Sequence, residues 1–200
     1  MTMEQHHDPL TTASGVDTAR IERAVHEIIE ALGEDPRREG LIETPARVAR
    51  MYAELFGGLA IDPADYLRVG FEAAHDEMVI LRDIPFYSVC EHHFMPVHGK
   101  AAVGYIPAGR VVGISKLARL VDGYARRPQL QERLTSQVAD ALMDTLRPDG
   151  VAVVIEAEHL CMTQRGIKKP GSRMITSATR GTFRQNEVTR SEFLSLVRSS

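Results

Sequence analysis

Two cysteines and a histidine carry the sharpest chemical signal in this chain. Cys90 and His93 bracket the segment Cys90-Glu91-His92-His93, and Cys161 follows far along the sequence in Cys161-Met162-Thr163. Two thiolates and one imidazole form a soft sulfur and nitrogen donor set suited to zinc, and three protein ligands leave the fourth tetrahedral position to water. Cys90 and His93 lie three positions apart, so a continuing strand would send them to opposite faces; joint ligation requires a turn. Cys161, placed in an apolar strand, has to approach from a neighbouring part of the sheet. Spacing alone leaves three other arrangements open. These are free cysteines with surface histidines, a Cys90–Cys161 disulfide, and a closed four-ligand site completed by His92, His98 or His159.

Histidines that could move protons stand beside these donors, since imidazole both gives and takes a proton near neutral pH. His92 adjoins His93. His159 lies two residues before Cys161, which in a continuing strand places both on one side. Gln131 and Glu132 fall in the first turn of a helix, where backbone amides point outwards, although the same residues also suit a solvated helix start. Ser115 is either a reactive hydroxyl or a plain helix cap. Lys168, Lys169 and Arg173 surround Pro170-Gly171 and read as a solvated hairpin turn, outside any site.

The elements that must position these groups follow from periodicity. Asp17 caps a helix with Ile21, Val25, Ile28, Ile29 and Leu32 on one side and Gly33 as its stop. Thr44-Pro45, a capping hydroxyl and a proline at the first helical position, opens a second helix that runs through Leu55. Strand text follows at Met78 to Leu81, Phe86 to Cys90 and Gly99 to Ile106, as successive antiparallel strands. Val111 to Ile114 is a short strand entering a helix capped by Ser115. Leu130 to Leu146 forms the longest helical stripe, stopped by Pro148-Asp149-Gly150. Val151 to Ile155 is an apolar strand leading to His159 and Cys161. A last strand covers Met174 to Phe183, and Thr189 with Glu192 makes a capping box for a terminal helix. Grouped strands around a central helix pair, with helices at both ends, predict an α+β fold with an antiparallel sheet and an N-terminal helical extension. The expected division is a mobile polar tail over 1–16, a helical region over 17–60 and a catalytic α+β domain over 61–200.

Composition narrows the function classes. The 200 residues are 44% apolar and 26% charged, ordinary for a soluble globular chain. No run of about 18 apolar residues is present to span a membrane. Met1 to Ser14 lacks the basic start and apolar middle of a secretory signal, so the expected compartment is the cytoplasm. A net charge of -3 argues against wholesale nucleic-acid binding, while leaving room for a local basic pocket.

Four ordered blocks then carry a resemblance. They are Cys90-Glu91-His92-His93, Gly113-Ile114-Ser115-Lys116-Leu117-Ala118-Arg119, Arg127-Pro128-Gln129-Leu130-Gln131-Glu132-Arg133-Leu134-Thr135, and His159-Leu160-Cys161-Met162-Thr163-Gln164-Arg165-Gly166. In this order they resemble the signature blocks of GTP cyclohydrolase I, from about Thr44-Pro45 to the C-terminal helix. The resemblance implies the tunnelling fold of pterin enzymes, one zinc ion per subunit on Cys90, His93 and Cys161, and a homodecamer with active sites between subunits. It implies hydrolysis of GTP to dihydroneopterin triphosphate and formate, begun by zinc-activated water at guanine C8, as the first step of pterin and tetrahydrofolate biosynthesis. His92 and His159 would transfer protons and Ser115 would stand near the ribose. Gln131 and Glu132 would bind guanine, whose N1 and N2 donors suit a carboxylate. Lys116, Arg119 and Arg165, with Arg47 and Arg50 from another subunit, would hold the triphosphate. Two other classes use zinc. A non-enzymatic zinc-stabilised oligomer module would need a fourth ligand, and a nucleobase deaminase would need a C-x-x-C pair that this chain lacks.

Overall fold

Asp17 starts the first helix as its carboxylate chemistry predicts. In the computed structural model, which describes residues 15–198, it accepts a hydrogen bond from the Arg20 backbone N–H at 2.9 Å. The chain divides into two compact units, Met1–Ile61 and Asp62–Ser200. Most of the polar tail read over 1–16 lies outside the described residues. In the first unit, α1 (Thr18–Ala31) ends before Gly33, whose φ of 83° takes the left-handed turn past the last residue. Val25 and Ile29 are buried, whereas Ile28 and Leu32 of the same apolar stripe are exposed. The second helix, α2 (Thr44–Leu55), keeps Pro45 in its first turn, but Thr44 is not its cap. Glu43 occupies that position, and the Thr44 N–H is already bonded to the Leu41 carbonyl at 2.9 Å, within a run of turns leading into the helix.

The second unit begins with a 3₁₀ turn, Pro63–Arg68, capped by Asp62. It continues as β1 (Gly70–Glu72), β2 (Val79–Cys90), β3 (Pro96–Ile106), β4 (Arg110–Val112), α3 (Ile114–Ala125), β5 (Pro128–Gln129) and α4 (Gln131–Leu146). After these come β6 (Gly150–His159), α5 (Leu160–Thr163), β7 (Met174–Gly181), α6 (Thr182–Gln185) and α7 (Glu187–Arg198). Strands β1 and β4 make a small antiparallel pair, and the main sheet has the order β5-β2-β3-β6-β7.

This is an α+β architecture, but the sheet is mixed rather than antiparallel. Its edge strand β5 runs parallel to β2, pairing Val89 with Pro128 and Cys90 with Gln129. A parallel neighbour needs a crossover, and α3 lies in the connection that supplies one. The two strands expected over residues 78–90 are one. A register shift between Leu81 and Ile84, with Asp83 at φ 56°, forms a bulge at the charged residues that look like a break in the sequence. Lys100 donates to Asp83 at 2.9 Å and ties the bulge to β3.

Two helix starts also differ from expectation. Gly113, not Ser115, is the cap position of α3, so Ser115 sits inside the first turn. Asn186 opens α7 by accepting from the backbone N–H groups of Val188 and Thr189, which displaces the Thr189–Glu192 capping box into the helix interior.

Alternation on β3 and β6 divides the core. Val103, Tyr105, Val151, Val153 and Ile155 face α3 and α4, where Leu117, Leu120, Leu134, Val138 and Leu142 are fully buried against them. Ala102 and Ala152 face the other way, against Phe183 of α6 and Phe193 of α7, whose rings meet edge-on at 5.6 Å. Burial on both faces explains why β6 is continuously apolar. A side chain on Gly104 would meet the buried Phe193 ring at 2.7 Å. Gly104→Ala is therefore expected to destabilise the protein by about 1–3 kcal/mol through overpacking, read as a lower urea midpoint at unchanged slope.

Candidate metal centre

Strand direction closes the sequence gap between the donor residues. Strands β2 and β6 are both antiparallel to β3, so they run the same way and finish at the same end of the sheet. Cys90 is the last residue of β2, and His159, the last of β6, pairs with Val97 near the start of β3. Strands two apart are separated by roughly 10 Å, too far for one ion to bridge from regular positions. Irregular backbone at both ends supplies the remaining reach.

At the end of β2 the chain reverses sharply. Phe94 N–H bonds to the Cys90 carbonyl at 2.8 Å, Cys90 N–H bonds to the Met95 carbonyl at 2.9 Å, and Phe94 takes a φ of 52°. This is the turn that joint use of Cys90 and His93 requires. At the end of β6 the chain winds into α5, so Cys161 lies on a helical turn and not in the strand as expected. The simple alternation that put His159 and Cys161 on one strand face therefore does not apply.

The outcome is a group of three donors, one atom each from Cys90, His93 and Cys161, all within 4.8 Å of one another. Tetrahedral zinc places its sulfur and nitrogen ligands about 3.5–3.8 Å apart, so one ion reaches all three after small inward adjustments. Both thiols are free, Cys90 buried and Cys161 half-buried, while His93 is exposed. Among the described residues, none of the candidates for a fourth ligand, His92, His98 or His159, belongs to this group. Burial, then the hydrogen bond and charge of Cys90, push the Cys161 thiol above its ordinary range; its own backbone and Arg165 pull the other way. Two neighbouring thiolates resist ionising together, and a bound cation reverses that balance. The donor set thus fits a soft divalent metal.

His159 stands at the same sheet end, half-buried, with its Nε2 2.7 Å from Gln131 Oε1. Burial lowers its proton affinity, and the charge of Glu132 partly opposes that. Glu132 itself is exposed. Gln131, expected beside it as a ligand contact, is only 4% exposed and its amide points into the fold. His92 is exposed, its ring edge-on to His93 at 6.4 Å. Ser115, Lys116 and Arg119 share the first turns of α3; Ser115 is exposed and Arg119 lies 5.8 Å from the Tyr66 ring centre. Arg165 is exposed just beyond α5, and Arg47 belongs to α2 in the other compact unit. Lys168, Lys169 and Arg173 are exposed in the loop before β7, as the turn reading expects.

One pair escaped the sequence reading. Arg133 grips Glu91 through two hydrogen bonds, 2.6 and 2.9 Å, and holds its carboxyl below the usual carboxylate range. The Glu91 N–H also bonds to the Gln129 carbonyl at 3.1 Å. Together these tie the Cys90–His93 turn to β5 and to the start of α4. Both residues lie inside the quoted motif blocks, yet opposite charges far apart in sequence carry no pairing signal of their own.

A mixed-sheet α+β protein with two thiols and an imidazole converging at one sheet end falls in the class of candidate metalloenzymes. Comparison with known proteins gives the particular kind. Residues 21–198 match the family described as GTP cyclohydrolase I. The chain is 63% identical over 183 residues to a GTP cyclohydrolase 1 of Dehalococcoides mccartyi strain BAV1, covering 90% of this chain and 97% of that one. It is 62% identical over 186 residues to a GTP cyclohydrolase 1 of Thermobifida fusca, covering 92% and 90%. A GTP cyclohydrolase 1 of Mycolicibacterium gilvum is 58% identical over 199 residues, covering 98% of each chain. The chain belongs to the GTP cyclohydrolase I family.

Cys161→Ser is expected to abolish stoichiometric metal binding, measured by elemental analysis after dialysis. Arg133→Met should leave the fold intact and weaken metal retention about 10-fold to 100-fold by loosening the turn, measured by competition with a chromophoric chelator. Equal retention in wild type and Arg133→Met would show that the ion pair does not hold the turn.

Proposed function

We propose that zinc, held by Cys90, His93 and Cys161, serves hydrolysis of GTP to dihydroneopterin triphosphate and formate. The observation that carries this reading is the convergence of that Cys-His-Cys group at the sheet end where His159 also stands. Zinc bound there would supply Lewis-acid activation of water at neutral pH.

The chain's own residues would do the rest. Glu132 would accept the N1 and N2 hydrogens of guanine; it lies in the first turn of α4, and its charge reaches His159. His159 and His92 would give and take protons as the imidazole ring of guanine opens. Burial favours neutral His159, a state ready to accept a proton. Ser115 would stand at the ribose. Lys116, Arg119 and Arg165 would hold the triphosphate, and the influence of Arg165 on Cys161 supports its place near the centre. Arg47 would join them from another subunit.

The finer architecture belongs to the same proposal: the tunnelling fold of pterin enzymes, with α3 and α4 as its central helices, assembled as a homodecamer in the cytoplasm. Large apolar side chains left exposed on the second unit, including Phe71, Tyr87, Ile114 and Ile175, support self-association. The described helices include none long and apolar enough to cross a membrane.

Incubation of metal-loaded protein with GTP should release formate in step with a product that becomes fluorescent on oxidation. Absence of both would overturn the proposal. His92→Ala should retain metal and lose about 100-fold to 10,000-fold of ring opening; loss of metal in that variant would reassign the ligands. Sedimentation of the native protein tests the assembly, and a monomer would refute it.

A further inference from the structure

Gln131 sits at the centre of a buried network whose bonds leave it little freedom. Its amide nitrogen is 3.0 Å from the Ile155 carbonyl, 3.0 Å from the Met174 carbonyl and 3.1 Å from Thr176 Oγ1, so it spans β6 and β7. Backbone carbonyls only accept, which means the NH2 group must face them; the flipped amide would set oxygen against oxygen. Thr176 supports the same orientation. Thr135 donates its hydroxyl proton to the Gln131 backbone carbonyl at 2.7 Å, so in the 2.6 Å contact between the two threonines Thr176 must be the donor. The Thr176 oxygen is then left to accept, sharing one of the two Gln131 amide hydrogens with a carbonyl.

With its nitrogen committed, Gln131 presents its carbonyl oxygen to His159 Nε2 at 2.7 Å. That oxygen can only accept, so Nε2 must carry hydrogen and the lone pair of neutral His159 must be on Nδ1. The surroundings are tight: a cavity of about 10 Å³ beside Gln131, His159, Ser88 and Gln129 has room for no more than about one water. We infer that Gln131 is a positioning residue, not a base-binding one: β6 and β7 lock its amide, and the amide fixes neutral His159 in the Nε2–H tautomer with its lone pair on Nδ1. The role of His159 in this inference rests on the proposed GTP hydrolysis; the tautomer does not.

Solid-state ¹⁵N NMR of the histidine-labelled, metal-loaded protein, with His159 identified by its loss in His159→Phe, reads the tautomer without any turnover. A protonated Nε2 and bare Nδ1 are expected; the reverse pattern would overturn the inference. Gln131→Met should mix the two tautomers and lower kcat at least about tenfold while KM for GTP changes less than about threefold. A raised KM at unchanged kcat, with the tautomer intact, would instead make Gln131 a substrate contact. Thr176→Val, a gentler change, should lower kcat about threefold, with recovery in Thr176→Ser; an unaltered kcat in Thr176→Val would remove the anchor from the chain of bonds. If the wild type releases no formate from GTP, the proposed function fails while the NMR result still decides the tautomer.

Discussion

Two thiols cannot readily ionise side by side without a cation between them, and much of the second unit is arranged around bringing such a pair together. Cys90 and Cys161 lie far apart in sequence and meet because β2 and β6 flank β3 and run in the same direction. Each strand stops being regular at its cysteine, β2 in a tight reversal and β6 in a helical turn. A soft metal held there would relieve the repulsion between the two thiolates, which would link metal binding to local folding.

Around this pair, the same sheet end gathers groups with other tasks. The start of α4 contributes three consecutive residues pointing in three chemical directions: Gln131 inward to β6 and β7, Glu132 outward within electrostatic reach of His159, and Arg133 across to Glu91. One helical turn therefore connects the reversal after Cys90, the half-buried His159 and the exposed Glu132. Rigid elements supply this precision: α4 is packed along Leu134, Val138 and Leu142 against the sheet, so its first turn has little room to drift.

Membership in the GTP cyclohydrolase I family fits the chemistry of this arrangement. The proposed ring opening and closure would call for repeated proton transfer beside a single Lewis acid, which one donor group with histidines near it would suit.

The local signals were legible in the sequence because they depend on neighbours. Asp17 caps α1, Gly33 ends it, and the apolar runs mark α4 and β6. The donor set was legible too, since residue type decides which metal a site prefers, and the need for a turn after Cys90 followed from side-chain alternation. Sequence periodicity could not show that Asp83 is a bulge within one strand, or that β5 lies parallel to β2, because both depend on pairing with distant chain. It misplaced Cys161 in a strand and Ser115 at a cap, where a shift of one or two residues changes the backbone state. The grip of Arg133 on Glu91 and the inward amide of Gln131 were out of reach altogether. Which partner a charged or amide group takes is decided by what the folded sheet and helix set beside it, and only tertiary structure determines that.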